Sequence, residues 1–513
     1  MGRNLRVPQR DQVMLLPVDL REWLSEDDLV WHVLDVVDQL DLTAFYARYR
    51  INGQGGSAYD PAMMLAVTIY AHAVGVRSSR KIERAATRDA GFKVVTGLLT
   101  PDHSTISRFV KVHRDAVQEV FAQVLRLCHA AGMVRLGVIA IDGTKIAANA
   151  SWAKSYTGEA LAHQVAEEQA AYDALVAQLI DQQIAVDEAE DAQHGPHGGG
   201  RCDDLPPQLR RRAERLERIK QAKAQLDERD TAAREAMLAQ QKAKQATYDA
   251  AAAAGDRPRG PRPKDEVAHT QRRRRRRKDG TWADPPPPRA STTDPHSRRM
   301  KAKHGFVQGY NAQAATTADQ IIVGFHLSQH PTDHHQFGDV FDHVTTTLRE
   351  AGITPHPPTT HSHIEPDIEP DIERELIGAS SRVDELGVVV ADAGYANEET
   401  FARAEAAHVH LIAPLSSDEK LHLGADPGAG QDLTGRPATD RAQAKLRTPT
   451  GRDLYKIRGR TAEPVFGQLK DRRGMRQFAT RGLASVTTEF SLAATVHNVV
   501  KLFTAKTTAP NLT

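Results

Sequence analysis

The chain has 513 residues, enough for about two to four domains and a large buried core. Its 67 Lys and Arg offset 66 Asp and Glu, a net charge of +1, so attraction to a polyanion must come from local runs of one sign. Two cysteines, Cys128 and Cys202, exclude a disulfide framework and a Cys-based zinc site. The first thirty residues hold no apolar stretch after a basic start, and no run nears the roughly 18 apolar residues of a membrane span. A soluble, cytoplasmic protein with no membrane partner is expected.

Residues 12–132 read as helical. Asp60-Pro61 starts one helix, with an acid at the cap and proline in the first turn, and carries apolar Met63, Met64, Leu65, Val67 and Ile69. SSRKIERAATRDA (78–90) and STISRFVKVHRDAVQEVFAQVLRLCHAAG (104–132) follow, the second with Asp102 and Ser104 as candidate caps and Gly132 as its stop. Arg77, Arg80, Lys81, Arg84, Arg108, Lys111 and Arg114 project from these segments. Short helices around a turn with a basic face suit a helix-turn-helix-like reader of DNA. An ordinary helical domain with solvated arginines is the plainer alternative. The reading is a helical DNA-binding domain over 1–132, with Arg80, Arg84, Arg108 and Lys111 as candidate contacts.

The texture changes at VRLGVIAIDGTK (134–145), rich in β-branched residues and too short for a helix, which reads as a strand ending at Asp142. Residues 158–254 are rich in Ala, Glu, Gln, Lys and Arg. Leu209, Leu216, Ile219 and Leu226 follow a coiled-coil rhythm, Leu161, Val165, Tyr172, Leu175 and Leu179 make a similar stripe, and QHGPHGGGRCDD (193–204) lies between them as a turn. An inserted helical hairpin is expected, its stripes serving as core or partner surface. Residues 255–294, with RRRRRRK (272–278) and PPPP (285–288), read as a basic, proline-rich disordered linker that attracts polyanions in a salt-dependent way.

FVQGYNAQAA and QIIVGFHLS, joined by TTAD, read as a hairpin, and a helix over 335–350 follows. The tandem IEPDIEPDIE places a low-complexity loop over 354–382. VVVA ends on Asp392, Asn397 caps the helix after it, and HVHLIAP (408–414) is a last strand. A polar stretch runs to about 457, and 460–505 is helical. Strand, hairpin, helix, strand, helix, strand, helix is the order that a ribonuclease H-like mixed α/β sheet requires, here over 134–157 and 295–505. In such a sheet Asp142 and Asp392 converge if their strands are neighbours, although each acid alone is as well read as a turn cap. GRTAEPVFGQLKDRRGMRQFATRGL (459–483) supplies a third acid, Glu463, in the first turn of a helix capped by Thr461, with Lys470 two turns on and Arg472, Arg473, Arg476 and Arg481 beyond. A dipole-favoured acid on a solvated helix is the competing explanation for that segment alone. HPTDHH (330–335) and HPPTTHSH (356–363) are a rival metal reading, for Zn²⁺ or Ni²⁺, but their spacing matches no closed structural site; Asp333 follows a central strand and reads as a loop cap.

The motifs DGTKIAANAS, ADAGY and EPVFGQLK, in that order and followed by RGMRQF, resemble those of DDE-type transposases of bacterial insertion sequences. YDPAMMLAVTIYAHAVGVRSSRKIER, HSTISRF, LPPQLRRRAERLERIKQAKAQL and DPHSRRMKAKHGFVQGYNAQ are similar to the same group, so the resemblance spans nearly the whole chain. It implies that Asp142, Asp392 and Glu463 form an acidic triad binding two Mg²⁺ or Mn²⁺ ions. It further implies that Lys470 meets DNA at the transposon end, and that a homodimer acts on terminal inverted repeats and target DNA in the bacterial cytoplasm and nucleoid; Lys145, Arg473 and Arg476, basic residues beside the motifs, are further candidate DNA contacts. The related pattern Tyr-x2-Arg-x3-Glu is not met strictly: Tyr455 lies eight residues before Glu463, position 459 is Gly, and arginines flank it at 458 and 460. The cysteine cluster that some relatives carry before the third motif is absent from 414–457. A nuclease without strand transfer and a non-catalytic DNA-binding protein are the rival readings.

Overall fold

The structure is a computed structural model that describes residues 5–6, 9–10, 19–51, 56–194, 207–253, 275–276, 282–283, 288–302, 305–353, 387–415 and 437–508. The loop over 354–382, HPPTTHSH, most of the 255–294 linker with all of its arginine run but Arg275 and Arg276, and the turn beyond His194 lie outside the described residues. The chain divides into two units, Met1–Asn149 with Arg299–Thr513, and Ala150–Arg298.

The first unit opens with helices, the longer of them α1 (Leu29–Asp38), α2 (Pro61–Ala73), α3 (Ser79–Arg88), α4 (Ala90–Thr96), α5 (His103–Val112) and α6 (Arg114–Ala130), with a single turn, Thr43–Tyr46, between α1 and α2. Caps start them where the sequence supplies acids: Asp60 Oδ1 accepts from the Ala62 N–H ahead of Pro61, and Asp102 Oδ1 accepts from Ser104 and Thr105. The apolar run of α2 is buried on all sides, with Met63, Leu65, Val67 and Ile69 fully inaccessible. The segment 104–132, read as one helix, is broken at His113. The ring of His113 packs with those of Phe45, Tyr49 and Phe109, holding its backbone off helical geometry at φ −98°, ψ 31°. Gly132 ends α6 at φ +72°, a conformation that glycine adopts without penalty.

The sheet comes next: β1 (Val138–Ala147), β2 (Gly305–Thr317), β3 (Ile322–Ser328), α7 (Phe337–Glu350), β4 (Val388–Ala391), α8 (Glu398–Ala406) and β5 (His410–Ile412). Its main path is β3-β2-β1-β4-β5, with β3, β2 and β1 antiparallel in turn and β4 and β5 parallel to β1. Side chains alternate between faces along a strand. Ile139, Ile141, Val389 and Ala391 join one hydrophobic cluster with α1, α2, α6 and the long last helix; Val138, Ala140, Val388 and Val390 join another with Leu446, Leu454, Ile457 and Ala462. The N-terminal helices therefore share a core with the sheet.

Three further expectations are corrected, on the end of β1, the stretch before 457 and the cap at Thr461. β1 does not end at Asp142: it continues to Ala147, because β2 pairs with it from Ile139 to Ala147, whereas its parallel partner β4 stops at the pair Ala391–Ile141. The stretch before 457 is not simply polar loop, since α9 (Pro437–Arg447) and α10 (Pro449–Gly467) occupy it, and α11 (Leu483–Thr508) closes the chain. Thr448 caps α10, accepting from Gly451 N–H at 2.9 Å, with Pro449 in the first turn. Thr461 is mid-helix and donates to Ile457 O (2.9 Å). Pro464 sits inside α10, and the Arg460 carbonyl that it deprives of an N–H accepts from Gln320 Nε2 at 2.9 Å. A short π-helical turn, Gln468–Arg472, follows.

In the second unit, helices Gly158–His194 and Pro207–Ala253 pack over a small cluster of Leu161, Ile219, Ala222, Leu226 and Ala290. The stripe Leu209, Leu216, Ile219 and Leu226 is buried. The strands Ser155–Thr157 and Arg289–Ser291 pair antiparallel at its base.

Candidate active site

Strand register brings the two aspartates together. Ala391 pairs with Ile141, so Asp392 follows its strand beside Asp142, at the point where the parallel ladder stops. Both acids continue the even-numbered face of Val138, Ala140, Val388 and Val390, the face that α10 covers. Each carboxylate is fixed by the backbone just after it: Gly143 N–H donates to Asp142 Oδ1 (2.9 Å) and Ala393 N–H to Asp392 Oδ1 (2.8 Å).

Helix α10 adds Glu463 and Arg458. The Arg458 guanidinium lies among all three acids, with Nη1 at 3.2 Å from Asp142 Oδ1, and Nη2 at 3.8 Å from Asp392 Oδ1 and 3.1 Å from Glu463 Oε1. Its side chain is only 11 % exposed, against 16 % for Asp142. Burial pushes the Asp142 carboxyl up to about 6; Arg458 and the Gly143 N–H pull it down, and Asp392 and Glu463 push it up again. Burial works against the charge of Arg458, but the surrounding carboxylates outweigh it and leave the guanidinium a weaker acid than usual. Glu463 lies in the later part of a 19-residue helix, so the dipole of a helix N-terminus does not account for it. A cleft of about 680 Å³ runs along this side of α10, lined by Arg452, Lys456, Arg458 and Glu463 among others.

Lys470 reaches the same face of β1, where its ammonium donates to Thr144 Oγ1. Lys145 does not: the pleat turns it to the other face, opposite Asn311, and its Nζ pairs with Asp333 Oδ1 at 2.9 Å. Asp333, expected as a loop cap, is instead the centre of a side-chain network. Its Oδ1 also accepts from Asn311 Nδ2 (2.8 Å) and Gln313 Nε2 (2.7 Å), and Gln313 Oε1 accepts from Tyr395 OH. The available signal was the two-residue alternation of Asn311 and Gln313, which register places opposite Lys145 and Gly143. The choice between arginines 458 and 460 is also made by the fold, because Arg458 turns inward and Arg460 is exposed.

The remaining candidates are scattered. Arg473 is buried at 5 % exposure, and burial lowers its pKa to about 10. Arg476 is exposed and pairs with Asp471. Arg80, Arg84, Arg108 and Lys111 are exposed on α3 and α5. Arg77 and Arg114 are tied inward instead, Arg77 to Glu489 and the Gly474 and Gln477 carbonyls, and Arg114 to Ser485 Oγ at 3.1 Å. In HPTDHH, His335 pairs with Glu399 at 3.2 Å.

A mixed sheet carrying converging carboxylates, packed with helices that expose basic side chains, has the make-up of an enzyme acting on DNA. Two family models agree: a transposase domain (DUF772) matches residues 18–112, across α1 to α5, and a transposase DDE domain matches residues 430–503, across α9, α10 and Lys470. These matches support a DDE-type transposase of insertion sequences. No curated protein and no solved structure matches it.

Proposed function

We propose that the protein binds the terminal inverted repeats of an insertion sequence, cleaves DNA at its ends and joins the freed 3′-hydroxyls to target DNA by two-metal-ion phosphoryl transfer. The observation carrying this reading is the meeting of Asp142, Asp392 and Glu463, from two strands and a helix, around one cation. The strand order supports a ribonuclease H-like catalytic domain.

Among the described residues no three His, Cys, Asp or Glu side chains already surround a single point. The donor chemistry nevertheless fits a divalent ion: three hard carboxylates converge on one positive group, the ligand type that Mg²⁺ and Mn²⁺ prefer. Asp142, Asp392 and Glu463 would hold such ions. When bound, such a pair stabilises the attacking and leaving oxygens of an in-line displacement and favours hydroxide near neutral pH. The chain's own residues do the rest. The rigid β1–β4 junction holds the acids in register, and Lys470 orients a phosphate beside Thr144. Arg452, Lys456 and Arg458 line the cleft that receives the strand. Arg80, Arg84, Arg108 and Lys111 hold the repeat, and a homodimer on nucleoid DNA pairs the two ends. Water attacks the end phosphate and the bond to the 3′-oxygen breaks; that hydroxyl then attacks a target phosphodiester, one bond forming as one breaks.

The test is a labelled duplex bearing the element's own terminal repeat, incubated with protein, plasmid target and Mg²⁺. Nicked and joined products are expected, and Asp142→Asn should bind the duplex without nicking it. Undiminished nicking by that variant would refute the triad, and nicking without joining would indicate a nuclease.

A further inference from the structure

We propose that Arg458 is a resident cation of the catalytic site, which holds the three carboxylates together in the DNA-free protein and leaves them for a DNA phosphate when divalent ions bind. This rests on the reading of Asp142, Asp392 and Glu463 as the ion ligands. The guanidinium engages Asp142 Oδ1, Asp392 Oδ1 and Glu463 Oε1 together, using Nη1 for the first and Nη2 for the other two. Three acids converging with no positive charge between them would repel, most strongly at Asp142, which is largely withdrawn from water. A side chain that is always charged and presents a planar fork of donors answers that need with one residue.

The same contacts set up a competition, because an ion approaching those oxygens meets the guanidinium on them. Arg458 also lines the open cleft beside Arg452 and Lys456. A phosphate arriving there offers an alternative charge-assisted partner of the kind arginine binds with two parallel hydrogen bonds. Divalent-ion affinity and DNA affinity then become linked: each raises the other, since both remove Arg458 from the acids. The chain would thus be slow to load ions until its substrate is in place.

The experiment measures Mn²⁺ binding to the full chain by electron paramagnetic resonance of the free ion, without and with a duplex bearing the terminal repeat. Without DNA, Arg458→Gln should bind Mn²⁺ about tenfold more tightly than the parent, a ratio within the usual range of coupling between sites. The duplex should tighten binding to the parent and leave the variant nearly unchanged. Binding to Arg458→Gln that is no tighter than to the parent overturns the proposal, as does a parent affinity indifferent to DNA. If Arg458→Gln fails to fold, Arg458→Lys serves, because a point charge engages fewer of the three acids and should still tighten Mn²⁺ binding; an unchanged affinity overturns the proposal there too. Asp142→Asn separates this from the ligand assignment. If it binds Mn²⁺ as the parent does, the assignment itself fails; if it loses Mn²⁺ while Arg458→Gln gains nothing, only the displacement fails.

Discussion

Replacing Asp142 by asparagine should make the metal-free protein more stable at neutral pH while removing its activity. Burial and two neighbouring acids raise the carboxyl of Asp142 from 3.8 to about 6, despite Arg458 at 3.2 Å. A folded-state pKa above the unfolded one means that the ionised form is disfavoured by folding. The group's favourable contribution is complete below 3.8 and is lost as pH rises through about 6. A rise of about two units, at about 1.4 kcal/mol per unit, puts the cost near pH 7.5 at about 3 kcal/mol. Asparagine keeps the size and an acceptor for the Gly143 N–H but carries no charge, so the variant escapes this cost. Urea unfolding in EDTA, followed by fluorescence of Trp23 and Trp31, should give a higher midpoint for Asp142→Asn at pH 7.5 and coincident midpoints near pH 4. Mg²⁺ should then stabilise the parent and not the variant. A variant less stable than the parent at pH 7.5 would refute the reasoning, because pairing with Arg458 would then outweigh burial.

Gly143→Ala would place a Cβ at 2.5 Å from Gln313 Nε2 and 2.7 Å from Asp333 Oδ1; overpacking of that kind costs roughly 1–3 kcal/mol, measurable by urea denaturation, and should reduce cleavage with it. Gln320→Ala leaves the Arg460 carbonyl, already deprived of an N–H by Pro464, without its partner. Because that carbonyl is exposed and water can replace the amide, the expected loss is about 0.5–1.5 kcal/mol, and a nicking rate that falls while DNA affinity holds would show that α10 has loosened around Glu463. Lys470→Ala should lower the slope of log affinity against log salt by about one and slow cleavage; an unchanged slope in a binding titration would place Lys470 away from phosphate.

Local chemistry explains why much of this was legible beforehand. Asp60-Pro61 and Asp102 state where helices begin because a cap is a short-range hydrogen bond. VIAI and VVVA announce buried strands through their β-branched residues, and the order of elements points to the sheet's connectivity. Thr461 misled because a threonine ahead of a proline looks like a helix start. Thr448 and Pro449 formed one a dozen residues earlier, and Gln320, remote in sequence, made the later proline tolerable.

The sequence by itself determined the candidate acids and their order, since an aspartate after VIAI, another after VVVA and a glutamate set among arginines are written in the chain. Tertiary structure alone decided which cation they share and which lysine faces them. Register sets Asp392 beside Asp142, the pleat sends Lys145 across to Asp333 and leaves Thr144 to Lys470, and α10 turns Arg458 rather than Arg460 inward. Each of these depends on which face of an element meets a distant partner, and a one-residue step along a strand reverses that face.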